Sequence, residues 1–198
     1  AERVAREAAV LGMAHQTLCW RDTPAGNLQA AARAARYRLL ADWARERNLA
    51  AVLLAHTRDD QAETVLLRMM RGAGLDGLSG MAEARLVDDT TFLRPLLTVS
   101  RAALRDVLRA RGATWIEDPG NRDARFDRVR AREALRSLAP LGLDAAALTG
   151  MADRLSQARE ALAYALRHMA APHLRVVEGD PVFPVAVLRD WPADLRHR

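Results

Sequence analysis

The chain contains no lysine, so all 30 of its basic residues are arginine. That absence carries no functional weight by itself. A single cysteine, Cys19, excludes an internal disulfide and suits a reducing compartment. It sits in the apolar stretch Thr17-Leu-Cys-Trp20, where a core position is expected. Aromatic residues make up only 5% of the sequence against 50% hydrophobic residues, so the core is expected to be built from Ala, Leu and Val. No apolar run is long enough to cross a bilayer and no stretch reads as a secretory signal, which makes the cytoplasm the expected location. Internal repeats and low-complexity tracts are also missing.

The positive charge is concentrated. Residues 94–136 hold 11 arginines and 6 acids, while the remaining 19 arginines and 19 acids cancel, leaving the whole net charge of +5 in that one segment. A basic segment of this kind suits a polyanion such as RNA, or a solvated arginine-rich helix face.

Apolar periodicity and punctuation outline the elements. Residues 2–11 read as a helix closed by Gly12, and His15–Trp20 as a strand. A turn with Pro24 and Gly26 leads to Asn27, a helix cap for an amphipathic helix reaching Arg47. Ala51–Ala55 reads as a buried strand, Asp60–Arg71 as a helix, Phe92–Leu97 as a strand with Pro95 near its end, and Ser100 as the cap of a helix running to Arg111. Farther on, Ala124–Leu138 and Asp144–Ala171 read as helices. Leu174–Val177 and Val182–Val187 read as strands about Glu178-Gly-Asp-Pro181, and Trp191-Pro192 opens a last helix. Strand and helix alternate over the first half, as in a parallel sheet flanked by helices.

The chemistry is concentrated in His56-Thr-Arg-Asp-Asp-Gln-Ala-Glu-Thr64. On a helix, His56, Asp60 and Glu63 fall at i, i+4 and i+7 and share one face. The preceding apolar run puts them at the carboxyl end of a strand, the edge where open α/β sheets bind ligands. Two carboxylates there can hold an amine and take its proton, or face a metal on a nucleotide. Thr57 and Asp60 also have the spacing of a capping box.

Downstream come Arg71-Gly-Ala-Gly-Leu-Asp-Gly-Leu-Ser-Gly-Met81, Arg94-Pro-Leu-Leu97, Trp115-Ile-Glu-Asp-Pro119, Asn121, Asp123 and Phe126-Asp-Arg128. With the His56–Thr64 element, these resemble the tRNA(Ile)-lysidine synthases of the PP-loop ATP pyrophosphatase superfamily over roughly residues 1–135. The resemblance implies an α/β fold: an incomplete Rossmann-like PP-loop sheet, parallel and flanked by helices, then a mostly helical part with a small β hairpin. It implies a catalytic domain over 1–112, a linking segment over 113–140 and a tRNA-contacting domain over 141–198.

The implied reaction joins free L-lysine to C2 of the wobble cytidine of tRNA(Ile) with a CAU anticodon, using ATP and Mg²⁺ and passing through an adenylated base. His56, Asp60, Glu63 and Arg128 are the implied catalytic residues, and His56, Asp59, Arg33 and Arg36 the implied nucleotide contacts. Asp60 and Glu63 with Arg94, Trp115, Asp118, Asn121, Arg130 and Arg132 are the implied substrate contacts. No metal ligand set and no oligomeric state follows. Asp76 in the glycine-dense loop is a minor candidate.

Two departures from the family pattern stand out. Val129 occupies the place of an asparagine, and no Ser-Gly-Gly-x-Asp-Ser phosphate loop is present. Residues 1–12 read as the helix that follows the family's second strand, so the expectation is a chain that starts inside the catalytic domain and is itself inactive. Two rival readings are a non-catalytic tRNA-binding remnant and another PP-loop enzyme, a thiolase or an amidotransferase ligase. The thiolase needs more cysteines and the amidotransferase a glutaminase domain.

Overall fold

The computed structural model describes residues 1–21, 26, 28–116, 123 and 125–196. They pack as two units, one formed by 1–55 with 83–95 and the other by 56–82 with 96–196.

The first unit opens with α1 (Glu2–Val10), closed by Gly12 at φ +67°, and α2 (Leu28–Glu46). The residue expected to cap α2, Asn27, lies outside the described residues. A three-stranded sheet follows, built from β1 (Val52–Leu53), β2 (Ala84–Val87) and β3 (Thr90–Leu93) in the order β1-β3-β2. β1 runs parallel to β3, with Val52 opposite Phe92, and β2 runs antiparallel to it. The fold is α/β as expected, but the sheet is mixed rather than parallel. Asp88 and Asp89 both have positive φ, the geometry of a two-residue hairpin turn whose twist matches its strands. Ala41, Leu54 and Phe92 form the core of this unit, with Tyr37 tilted against Phe92 at 5.0 Å between centroids.

Three expectations fail in this unit. His15–Trp20 is not a strand among the described residues. The segment is instead tied to α2 through Gln16, whose side-chain oxygen accepts from Trp43 Nε1 at 2.7 Å and from Arg47 Nη2 at 2.5 Å. A strand without a ladder partner does not form. Cys19, in that segment, is exposed and not in the core. The strand over 51–55 shrinks to Val52–Leu53, and Leu53 is 67% exposed rather than buried.

The second unit is helical. It begins with α3 (Arg58–Met70), continues with the short α4 (Leu75–Leu78), and then α5 (Arg101–Ala110), α6 (Asp127–Leu138) and α7 (Ala145–Ala170). Ser100 caps α5 by accepting from the Ala103 amide, and Asp144 caps α7 by accepting from the Ala147 amide. The core joins Ala62, Val65 and Leu66 of α3 to Ala131 and Leu135 of α6 and Leu148 and Ala152 of α7. Small alanines at these contacts let the helix axes approach closely. The glycine-dense segment is no open loop. Arg68 Nη1 donates to the carbonyls of Gly77 at 2.9 Å and Gly80 at 2.8 Å, and the Gln61 amide exchanges two hydrogen bonds with the Met81 backbone. At Gly80, φ is +72° and an added Cβ would lie 2.6 Å from Gln61 Nε2.

The chain closes with β4 (Arg175–Val177), β5 (Asp180–Val182), α8 (Val185–Arg189) and α9 (Ala193–Arg196). The hairpin exists, but its second strand ends at Val182, and 185–189 is helix rather than strand. β4 has only three residues to offer, because the Leu174 amide is already bonded to Ala170 at the end of α7. No helix of the described residues is long and apolar enough to cross a membrane.

Leu148 is 1% exposed at the junction of α7 with α3. Leu148→Ala is therefore expected to lower unfolding free energy by about 2–4 kcal/mol, read from urea midpoints at constant m-value. Gly80→Ala is expected to destabilise as well, through the left-handed backbone and the Gln61 contact together.

Candidate active site

α3 starts with a reciprocal cap. The Asp60 amide donates to Thr57 Oγ1, and the Thr57 amide and hydroxyl donate to Asp60 Oδ2 at 2.8 and 2.7 Å. Thr57 is extended, at φ −100° and ψ 173°. His56 thus stands before the helix, and helical spacing does not put it on the face of Asp60 and Glu63. That corrects the expectation that the three share a helix face. His56 is half-buried at the entrance to the cap.

Asp60 and Glu63 do share a face, and three arginines surround them. Arg101 Nη2 lies 3.1 Å from Asp60 Oδ1 and 3.5 Å from Glu63 Oε1. Arg132 Nε donates to Glu63 Oε1 at 2.9 Å. Arg128 Nη1 lies 3.6 Å from Asp60 Oδ1 and 4.0 Å from Glu63 Oε2. Glu63 is 1% exposed, and its Oε2 has no hydrogen-bond partner. A buried acceptor left unsatisfied costs free energy, on the order of 1–3 kcal/mol, so its persistence asks for an explanation.

Neighbouring helices aim the cations. Arg128 and Arg132 are four residues apart on α6, whose intervening Ala131 packs on α3, so both guanidiniums fall on the carboxylates. Arg101 opens α5, and its amide donates to Asp59 Oδ2 at 2.7 Å. Asp59 therefore holds the start of α5 in place, and Arg101 with it. Burial raises the pKa of Asp60, but the Thr57 hydroxyl and amide and the Arg101 and Arg128 guanidiniums outweigh it and hold the carboxyl below its ordinary value.

The other expected site residues are distributed elsewhere. Arg33, Arg36 and Arg94 belong to the first unit. Arg33 lies over the Tyr37 ring at 5.3 Å, Arg36 is exposed, and Arg94 is 3% exposed with Nη2 donating to the Tyr37 hydroxyl at 3.2 Å. Arg130 faces away from Arg128 and Arg132, pairing with Asp127 and donating to the Arg125 carbonyl. Trp115 meets Arg105 and Arg109 of α5. Asp118 and Asn121 lie outside the described residues. Val129, the departure from the family pattern, is 6% exposed and part of the core.

Arg101, Gln61 and Arg68 were not singled out from the sequence. For Arg101 a signal existed, since two carboxylates on a helix that packs into a core require cations, but 11 arginines in 94–136 competed for the place. Among the described residues no group of three or more His, Cys, Asp or Glu side chains could hold a metal.

Residues 1–139 match the PP-loop domain family. The chain belongs to the PP-loop family. Curated relatives named tRNA(Ile)-lysidine synthase include one from Ruegeria pomeroyi, 48% identical over 98% of this chain and 47% of the relative. Another, from Methylobacterium nodulans, is 49% identical over 83% of this chain and 49% of the relative. A third, from Zymomonas mobilis, is 35% identical over 94% and 59%. The chain thus spans about half the length of the curated relatives it matches. Among solved structures, the U34-tRNA thiolase NcsA from Methanococcus maripaludis superposes with a TM-score of 0.64 at 13% identity, covering 78% of this chain and 55% of that one. That likeness shows a shared PP-loop fold.

The depressed pKa of Asp60 fixes the sign of its pH effect. Its contribution to stability is fully present above the unfolded-chain value of about 4 and is lost as pH falls through the lower native value. The stability difference between the protein and its Asp60→Asn variant, from urea midpoints, is expected to be constant from pH 7 to 5 and to shrink below pH 4.

Proposed function

We propose that this PP-loop chain is the catalytic part of an ATP-dependent tRNA-modifying enzyme that joins free L-lysine to C2 of the wobble cytidine of tRNA(Ile) with a CAU anticodon. The observation that carries this reading is Glu63 Oε2, a buried carboxylate oxygen without a hydrogen-bond donor, beside an Asp60 held ionised. Such a pair fits an ammonium group. The relatives named tRNA(Ile)-lysidine synthase support the substrate assignment.

The chemistry balances in two displacements. The C2 carbonyl oxygen attacks the α-phosphorus of ATP and pyrophosphate leaves. The lysine side-chain amine then attacks C2 and AMP leaves, carrying the former carbonyl oxygen. Adenylation is needed because that oxygen is a poor leaving group unmodified. In this reading Asp60 anchors the ammonium, since a carboxyl of lowered pKa stays charged but is a weak base. Glu63, whose Oε2 accepts no hydrogen bond and has Arg128 Nη1 at 4.0 Å, takes the proton before attack. Arg128, the most exposed of the three arginines at 42%, is proposed to meet phosphate oxygens of the adenylated base. His56, Arg33 and Arg36 remain the proposed ATP contacts, and Asp59 acts through α5 rather than on the nucleotide. Arg130, exposed on the far side of α6, is proposed to meet tRNA phosphate. The division into a catalytic part (1–112), a linking part (113–140) and a tRNA-contacting part (141–198) is proposed as a functional one, with the cytoplasm as the site of action.

The test uses a protein carrying this chain behind a Ser-Gly-Gly-x-Asp-Ser segment, with labelled lysine, ATP and unmodified tRNA(Ile). Asp60→Asn and Glu63→Gln are each expected to cut lysine incorporation by about 10²-fold or more, with tRNA affinity within a few-fold of the parent. Normal turnover by both variants would sink the amine-site reading.

A further inference from the structure

Arg101 is attached to α3 through both its backbone and its side chain. Its amide, the first of α5, donates to Asp59 Oδ2 at 2.7 Å. Its guanidinium reaches the same helix, where one nitrogen, Nη2, lies 3.1 Å from Asp60 Oδ1 and 3.5 Å from Glu63 Oε1. Neither attachment is needed to start a helix. α3 is capped by the exchange between Thr57 and Asp60, and Ser100 caps α5 by accepting from the Ala103 amide. Asp59 adds an acceptor for one of the opening amides that α5 cannot satisfy from within. Nor does Glu63 lack a cation without Arg101, since Arg132 Nε donates to the same Oε1 at 2.9 Å.

What the second donor adds is direction. The terminal torsion of a glutamate is broad and nearly two-fold, so a carboxylate held by one donor can turn and exchange its oxygens. Glu63 Oε1 instead receives Arg132 from α6 and Arg101 from α5. Held from two helices, the carboxylate keeps Oε2 as the oxygen that accepts no hydrogen bond, with Arg128 Nη1 at 4.0 Å. Arg101 can do this only while the start of α5 stays registered against the first turn of α3, and the Asp59 contact supplies that register. We propose that Asp59 and Arg101 are a positioning pair: Asp59 fixes the start of α5, and Arg101 fixes which oxygen of Glu63 is presented to the substrate amine. The proposal rests on the amine-site reading above and adds to it two residues that act through Glu63 rather than on lysine or the nucleotide.

The experiment is steady-state lysine transfer at varied lysine, with saturating ATP and tRNA and the protein described above for labelled lysine. A misplaced reacting group can cost about 10²-fold, so Asp59→Ala and Arg101→Met are each expected to lower kcat by about 10-fold or more. KM for lysine is expected to stay at or below the parental value, the mark of an interaction that matters in the transition state and not in binding. Arg101→Met even removes a cation that competes with the ammonium for the same oxygens. Asp59→Asn keeps an acceptor for the Arg101 amide and is expected to return kcat to within a few-fold of the parent. In the double variant Asp59→Ala/Arg101→Met the two losses are expected to combine to less than their product, because one acts through the other. If Arg101→Met fails to fold, Asp59→Ala and Asp59→Asn, which remove no arginine, carry the test. Parental kcat in folded Asp59→Ala overturns the pair, and so does a loss in Asp59→Asn as large as in Asp59→Ala, or a raised KM for lysine at parental kcat. In each of these cases lysine transfer by the parent leaves the enzyme reading intact. A parent that transfers no lysine overturns both.

Discussion

Glu63 is a carboxylate with almost no access to water, placed on the helix that supplies the core of the second unit. Burying that charge is costly unless cations reach it. The cations come from two other helices, Arg101 from α5 and Arg132 with Arg128 from α6. The contacts that compensate one buried charge therefore also set the registry of three helices. Truncating one partner would leave an unpaired buried charge, which costs far more than the pair gains over an apolar substitute.

The same arrangement makes a site. The alanines of α3 and α6 bring the helices close enough for the arginines to reach the carboxylates. The Thr57 cap and Asp59, working in opposite directions from the first turn of α3, fix Asp60 and the start of α5. Three guanidiniums then share two carboxylates, and one oxygen of Glu63 accepts no hydrogen bond. A polar group so placed is poorly explained by stability alone. An incoming amine would satisfy it, and the surrounding positive charge would favour a partner that brings phosphate with it.

Much of this was legible in the chain. Caps at Thr57 and Ser100 gave true helix starts because a side-chain oxygen next to an apolar-periodic run has few other uses. Asp60 and Glu63 were legible as a pair for the same local reason. Several failures were non-local. His15–Trp20 has strand composition, but pairing depends on a neighbour that the composition does not encode. The β2–β3 hairpin escaped notice because Ala84-Arg-Leu-Val87 does not alternate and Asp88-Asp89 is a weaker turn signal than Asn-Gly. Choosing Arg101 among so many arginines required the geometry of α5, and separating Arg130 from Arg128 and Arg132 required the α6 face that packs on α3.

The central claim is that the Asp60–Glu63 pair inside its arginine ring binds the amine of free lysine. Calorimetric titration of L-lysine into the protein and into its Glu63→Gln variant, with ornithine-length and uncharged analogues as controls, tests it most directly. The account predicts saturable binding of lysine that the uncharged analogue does not share and that Glu63→Gln abolishes while the fold is retained. Equal lysine affinity in the parent and in a folded Glu63→Gln variant would contradict it.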